Sequence, residues 1–517
     1  ASLICCMAVA GWSQAALPPR PKLVLLIAID QFRYDYLVRF RDAYSSGLKT
    51  LLGKGAVFVN ANLEHYPTVT AVGHSTMMSG ATPSMSGIMG NDWYDREAGK
   101  SVTSVSDEKE TLVGGGGGEG ASPRRMLVST VGDELKRAHP ESRVIGIALK
   151  DRSAILPVGH MADASYWYDP RAGDFVSSSY YTRQLPAWVR EFNARKSVDK
   201  LASSERELIG AEPKRTTRLP ADVGPKLYQA VFASSFGDEL LENFAEELIA
   251  AERLGQRAAT DLLTLSFSSN DLVGHSFGPD SSEVRDISIR TDQIIGKLLA
   301  SLDKTVGLDK VLIILTSDHG IQPLPEELQK QRMPGGRIRN QDLFVPMQAA
   351  LERKFGSGNW IVNTAGTSPY LNQQLIASKK LNPADVEREA AESVASLPHV
   401  ARVFTRRQLQ LAQVPPDRIS QRVLRGFNDR RSGDLEILLH PNWIRSAAGT
   451  THGTPYSYDV HIPLIFMGAG IKPGSYFEQV ALNDLAPTVA SLLEVETPNG
   501  SVGRVLSTMF ESQSGRR

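Results

Sequence analysis

Two short stretches of the chain set a carboxylate near an imidazole: Asp271 and His275 in DLVGH, and Asp318 beside His319 in SDHG. A third imidazole, His452, stands in THGTP, and Asp30 closes the apolar run KLVLLIAID. Carboxylate oxygens and imidazole nitrogens are ligands for zinc or a similar divalent ion. These three Asp and three His divide into two sets of three. Two metals about 4 Å apart would clamp the attacking and leaving oxygens of a phosphoryl displacement. Any one of these residues alone reads better as polar surface; the placement of several of them together at the ends of apolar runs is what points to metal. His74, His160, His399, His440 and His461 lack comparable partners and read as structural.

A candidate nucleophile lies in HYPTVTAVGH, residues 65–74. Its hydroxyls, Thr68 and Thr70, are weak nucleophiles unless activated, and TAVGHSTMMSG suggests a helix that either could cap. The residue types leave that choice open. A competing pattern is GHSFG, residues 274–278, which matches the G-x-S-x-G nucleophile elbow of α/β-hydrolases, with Ser276, Asp318 and His452 in the Ser, Asp, His order of that fold. An elbow needs a strand directly before the serine and a helix directly after it. Here SSND separates the strand-like DLLTLSF from the motif, and Gly278-Pro279-Asp280 delays the next helix. That reading also leaves Asp30, Asp271, His275 and His319 without a task.

The elements that must position these residues are legible in the apolar pattern. KLVLLIAID (22–30), DLLTLSF (261–267) and VLIILTSDHG (311–320) are nearly continuous apolar runs, as expected of parallel strands buried on both faces, and HIPLIFMGAG (461–470) matches them. Between the middle two, Val284, Ile287, Ile294, Leu298 and Leu302 mark a helical stripe, so strand, helix and strand form a βαβ unit. The class is α/β, and ligands of open parallel sheets bind beyond the carboxyl ends of the strands. Asp30, Asn270-Asp271 and Asp318-His319 should therefore converge on one edge. LVGGGGGEGASPRR (112–125) reads as a flexible loop; it lacks the Gly-Lys-Ser/Thr ending of a P-loop. WYDREAGKSVTS (93–104) and WYDPRAGDFVSS (167–178) each read as a hairpin. Residues 375–440 read as an inserted α+β subdomain, with Asn382 capping a helix that reaches about Leu397, and a second, hairpin-containing insertion is expected around 160–235. NDLAPTVASLLE (483–494) reads as a helix with Pro487 in its first turn.

At 517 residues and 41 % hydrophobic content the chain can bury a large core, and 57 basic against 57 acidic residues leave no net charge to draw nucleic acid. Both cysteines, Cys5 and Cys6, lie in ASLICCMAVAGWSQAALPP. Residues 1–16 read as an export signal with Ser13-Gln14-Ala15 as the cleavage site; a lipoprotein anchor fits the residues before the cysteines poorly. No later cysteine is available for a disulfide or a metal, and no later apolar run is long enough to span a bilayer.

Taken together, Asp30, Thr70, Asp271-x-x-x-His275, Asp318-His319 and His452 resemble the alkaline phosphatase superfamily over residues 22–510. The resemblance implies one zinc on Asp271, His275 and His452 and a second on Asp30, Asp318, His319 and the oxygen of Thr70. YPTVTAVGHSTMMSG is similar to the nucleophile segment of the threonine-using branch, which makes Thr70 the nucleophile and leaves Thr68 to shape or cap the turn. Sulfatases, with a C/S-x-P-x-R pattern, and the serine- and manganese-using mutases fit less well. Asn91 in MGNDWY matches an asparagine of nucleotide pyrophosphatase/phosphodiesterases, which form the alternative. LKDRSAILP (149–157) decides between them: Lys150 and Arg152, with Asn91, resemble the phosphoryl-binding trio of phosphate-irrepressible, PafA-type alkaline phosphatases. Two fixed cations favour a monoester dianion over a diester monoanion.

The expected fold is thus an alkaline-phosphatase-like core, residues 17–374 and 441–517, with a mostly parallel sheet flanked by helices. The expected activity is that of an exported, periplasmic or secreted, monomeric di-zinc phosphatase. It would hydrolyse small phosphate monoesters to alcohol and inorganic phosphate through a phosphothreonine, without a nucleic-acid partner. A metal-binding scaffold that has lost activity is the non-enzymatic alternative, disfavoured by the intact nucleophile.

Overall fold

A computed structural model describes residues 20–510; the expected export signal at residues 1–16 lies outside them. The apolar runs pair into an eleven-stranded mixed sheet. In chain order its strands are β1 (Leu23–Ile29), β2 (Ala56–Asn62), β3 (Ser106–Val113), β4 (Glu119–Ala121), β5 (Val144–Ala148), β6 (Ala164–Asp169), β7 (Asp174–Ser178), β8 (Asp261–Phe267), β9 (Val311–Thr316), β10 (Leu464–Gly468) and β11 (Gly474–Ala481). Their spatial order is β11-β2-β10-β9-β1-β8-β5-β6-β7-β3-β4. The centre, β9-β1-β8-β5-β6, is parallel throughout.

Every residue of β1 is buried, and alternation divides its side chains between two cores. Leu23, Leu25, Ile27 and Ile29 face one apolar cluster, and Val24, Leu26 and Ala28 face the other. A strand covered on both faces has no polar side to show, which is why the run is continuous rather than alternating. The first cluster is covered by α3 (Ser235–Ala251) and α5 (Ser282–Thr305), the second in part by α6 (Leu485–Leu493). The Ser281 hydroxyl accepts the Val284 N–H to open α5, and all five residues of its expected stripe are buried. Each such side chain contributes about 1.5–3 kcal/mol on leaving water.

Two expectations are corrected. HIPLIFMGAG forms β10, but it runs antiparallel to β9, because the chain re-enters the sheet at the edge where β9 leaves it: Leu464, the first residue of β10, pairs with Thr316, the last of β9. The glycine-rich stretch is not an open loop: β3 and β4 pair antiparallel across it, and Gly114, Gly115 and Gly117 supply the positive φ of the turn. Both WYD segments form hairpins, the first on its own as Asp92–Asp95 with Lys100–Thr103, the second as β6 and β7. Helices Asn340–Phe355 and Pro383–Ala395 and the strands Val400–Thr405 and Leu435–Leu439 share a separate apolar cluster that includes Leu343, Trp360, Val386 and Leu435. The Asn382 side chain caps the second of these helices.

Candidate active site

Strand register brings the charged residues into one row. Ile29 pairs with Phe267 and Ala28 with Thr316, so Asp30, one step past β1, aligns with Ser268 and with Asp318. Ser266 pairs with Ala148, so Ser268 aligns in turn with Lys150. All four stand at the carboxyl edge of the parallel centre. Two helices then close over that edge. Thr70 is the first residue of α1 (Thr70–Ser79), and Asp271 and His275 share one face of α4 (Ser269–Phe277) at an i,i+4 spacing. Each helix comes close through a glycine. A Cβ on Gly73 would collide with the Asp318 backbone, and one on Gly274 with the Gln31 amide.

One group of ligand atoms, from Asp271, His275 and His452, lies within 4.8 Å of one another. His275 Nε2 is 3.3 Å and His452 Nε2 3.7 Å from Asp271 Oδ1. Beside it, His319 Nε2 is 3.2 Å from Asp318 Oδ2 and 3.5 Å from Thr70 Oγ1, and the His319 and His452 rings stack 3.6 Å apart. In all three of these histidines Nδ1 meets a backbone carbonyl: Thr450 for His275, Thr68 for His452 and Gly320 for His319, at 2.8, 2.8 and 2.9 Å. A carbonyl only accepts, so Nδ1 carries the proton and Nε2 is turned toward the site. Burial holds His319 down to about 4, and burial with the neighbouring His319 and His275 holds His452 well below the ordinary histidine value, so both present lone pairs. Asp318 Oδ1 accepts the N–H groups of Gln31 and His319 at 3.0 and 2.9 Å, whereas its buried Oδ2 has no hydrogen-bond donor. Lone pairs of His319 and Asp318 facing each other at 3.2 Å call for a cation. The donors thus fit divalent metal, with oxygen and nitrogen ligands of the kind zinc takes.

Lys150 is the cation that the chain itself supplies. Its Nζ lies 2.7 Å from Asp271 Oδ2 and 2.9 Å from Asp30 Oδ2, joining the two ligand sets. Burial opposes that charge, yet Asp271 and Asp30 hold Lys150 above its ordinary value; burial likewise opposes the Asp271 carboxylate, and Lys150 and His275 hold it well below the usual range. Arg152, near the start of the short helix α2 (Asp151–Ile155), points its Nη1 toward Asp151 at 3.5 Å and touches neither ligand set nor Thr70. Asn91 Oδ1 accepts the Ala71 N–H at 2.9 Å, which pins the amide beside the start of α1. Thr68 does not cap α1. Its hydroxyl donates to the Thr454 carbonyl and its own carbonyl receives His452 Nδ1, so it ties the His452 loop to the segment that leads into α1. Ser276 sits exposed in the last turn of α4 and donates to the Leu272 carbonyl, so GHSFG is helix and no elbow exists there.

Two neighbours escape the sequence reading. Gln31, wholly buried at φ 64, donates its Nε2–H to Asp271 Oδ1 at 2.6 Å while its backbone N–H holds Asp318. A non-glycine residue kept at positive φ stores strain that surrounding contacts must offset. His74 stands 3.4 Å from both Asp30 Oδ1 and Asp318 Oδ2, with Nδ1 on the Thr70 carbonyl and Nε2 on the Ser266 hydroxyl. Its spacing from Thr70, one helical turn, is the only signal the sequence carries for it. His160 and His461 bond only backbone carbonyls, and His399 stacks on Trp443. The site opens into a cleft of about 600 Å³ that reaches Asn91, His275 and His452 on one side and the strand Leu435–Leu439 on the other. Among the described residues no helix is long and apolar enough to cross a membrane.

Comparison with known proteins agrees with this geometry. Residues 24–458 match the family model described as type I phosphodiesterase / nucleotide pyrophosphatase. The chain is 37 % identical to alkaline phosphatase PafA of Elizabethkingia meningoseptica over 95 % of both chains. It is 35 % identical to alkaline phosphatase PhoV of Synechococcus elongatus, over 99 % of this chain and 98 % of that one. The crystal structure of wild-type PafA superposes with a TM-score of 0.89, covering 95 % of this chain and 99 % of that one at 35 % identity.

Proposed function

The chain belongs to the type I phosphodiesterase / nucleotide pyrophosphatase family, within the alkaline phosphatase superfamily, and from that membership we propose an exported di-zinc alkaline phosphatase acting through a phosphothreonine. As an enzyme it is a phosphoric monoester hydrolase. The observation that supports the finer reading best is the set of three histidines, each tethered at Nδ1, whose Nε2 atoms turn toward Thr70 and the buried carboxylates. Asp271, His275 and His452 would hold one ion, and Asp30, Asp318, His319 and Thr70 the other. When bound, such ions supply Lewis acidity, lowering a hydroxyl pKa and offsetting charge on the leaving oxygen.

The protein's own groups do the rest. Thr70 Oγ1, 1 % exposed at the start of α1, attacks phosphorus in line from a dry position beside the partial positive charge of the helix terminus. The Oγ–P bond forms as the bond to the leaving alcohol breaks, and water later splits the phosphothreonine to release inorganic phosphate. Asn91, with Oδ1 committed to Ala71, offers its amide hydrogens to a non-bridging oxygen. Lys150 and Arg152 add two positive charges where a monoester dianion carries one more negative charge than a diester. The leaving alcohol departs into the cleft.

The test is kcat/KM for p-nitrophenyl phosphate and bis-p-nitrophenyl phosphate, with zinc and after chelation. A monoester preference that vanishes on chelation supports the reading. A diester preference would move the protein to the phosphodiesterase branch with the same ligands and nucleophile, and chelator-resistant turnover would overturn the metal assignment.

A further inference from the structure

The roof of the cleft carries two charges that the phosphatase chemistry does not use. Glu436 and Arg445 line the same cavity as His275, His452 and Asn91. Among the described residues neither makes an ion pair, with the other or with any third group. Glu436 is held at Oε1 by the Ser368 hydroxyl at 2.9 Å, but that hydroxyl has one hydrogen and also faces the Leu435 carbonyl at 2.8 Å. Arg445 donates to Asn340 Oδ1 at 2.7 Å, a neutral partner. Both pay for this placement: burial raises the Glu436 carboxyl to about 7, and burial lowers the Arg445 guanidinium below its ordinary value. Two desolvated opposite charges that decline to pair are costly unless something entering the cleft meets both.

The position of the roof suits a leaving group. Tyr66, Pro67 and Val69, from the segment that leads into Thr70, line the same cavity as Glu436 and Arg445. A substrate with its phosphorus at Thr70 therefore extends its leaving group into the cavity that Glu436 and Arg445 line. The cavity walls include the rings of Trp93, Tyr370, Trp443 and Tyr456. Flat apolar walls favour an aromatic spacer, and the two charges favour a zwitterionic end.

We propose that the cleft selects phosphorylated aromatic amino acids, seating the ammonium of the leaving group on Glu436 and its carboxylate on Arg445. This deepens, and rests on, the monoesterase reading. Four aryl phosphates with phenols of similar leaving ability test it: O-phosphotyrosine, tyramine phosphate, 3-(4-hydroxyphenyl)propionate phosphate and p-cresyl phosphate. O-phosphotyrosine should exceed p-cresyl phosphate in kcat/KM by about tenfold or more, with the two singly charged compounds between them. Glu436→Gln should erase the gain due to the ammonium, Arg445→Met that due to the carboxylate, and both should leave p-cresyl phosphate within about twofold. Equal kcat/KM for all four compounds on the wild-type protein would overturn the proposal, as would variants that lower all four alike. The wild-type series stands even where a variant does not fold. Failure to hydrolyse p-cresyl phosphate at all would overturn the monoesterase reading and the proposal with it, and is distinguishable from a flat profile.

Discussion

Asp30, Asp318 and His319 are shut off from solvent, each at 0 % exposure, whereas the His275 side chain of the neighbouring ligand set is 33 % exposed. The first set hangs on strand ends and is bolted from behind by Ser266, His74 and the backbone of Gln31. The second spans a helix and a loop, joined through the carbonyls of Thr450 and Thr68. On the proposed reading, the difference matches the two halves of a phosphoryl transfer. The side assigned the nucleophile must be dry and rigid, so that the attacking oxygen is neither solvated nor misplaced. The side that receives the leaving oxygen must admit an alcohol and later water, so it borders the cleft.

The strongest way to test this division is to remove the nucleophile. Thr70→Ala should lower kcat/KM for p-nitrophenyl phosphate by about 10³-fold or more with bound metal retained, measured by steady-state rates beside elemental analysis. Retained activity would move the attack elsewhere. Next, Lys150→Ala with Arg152→Ala should cost monoesters about 10²-fold while sparing diesters; equal losses on both would sink the role of the two cations in selecting a dianion. A direct contrast between the halves comes from Asp30→Ala and His275→Ala. The first removes one of the two buried carboxylates beside Lys150 and one of the two beside His74 and should destabilise by about 3 kcal/mol; the second, at the cleft, should cost about 1 kcal/mol. Urea unfolding with chelator present measures both, and equal losses would abolish the distinction.

The link between the halves is Gln31. Gln31→Ala should weaken zinc binding about 10-fold to 100-fold, read by competition with a chromogenic chelator, because it unpins Asp271. The smallest effect concerns the support of α4. Asp238 accepts the Ser269 N–H at the start of that helix, and burial raises its carboxyl to about 7. Because the folded value lies above the unfolded one, stability is fullest below about pH 4 and falls as pH rises toward about 7. Asp238→Asn should therefore gain about 2 kcal/mol at pH 8 and almost nothing at pH 4, by thermal unfolding at both; a gain at pH 4 alone would reverse the sign and refute this role for Asp238.

Much of the fold and of the site is legible in the amino-acid pattern. Continuous apolar runs mark the buried strands because a strand covered on both faces has nowhere to place a polar side chain. Polar residues at their ends mark the sheet edge. What the pattern hides depends on contact between distant segments. Nothing in DQF marks Gln31 as the tie between Asp271 and Asp318, since its role arises only from a positive φ and a helix approaching through Gly274. His74 reads as a lone core histidine, and only the folded strand ends place a carboxylate on either side of it. The direction of β10 is likewise hidden, because a buried strand has the same composition whichever way it runs.

The amino-acid sequence by itself determined the chemical inventory: which residues can bind metal and which strands must be buried. Composition and periodicity are local properties, and they survive without knowledge of the fold. The tertiary structure alone decided the register that puts Asp30, Lys150 and Asp318 in one row, the tethering of each histidine at Nδ1, and the sharing of one cleft by His452, Glu436 and Arg445. Those depend on segments hundreds of residues apart meeting in one geometry, which packing and hydrogen bonding select only when the whole chain folds.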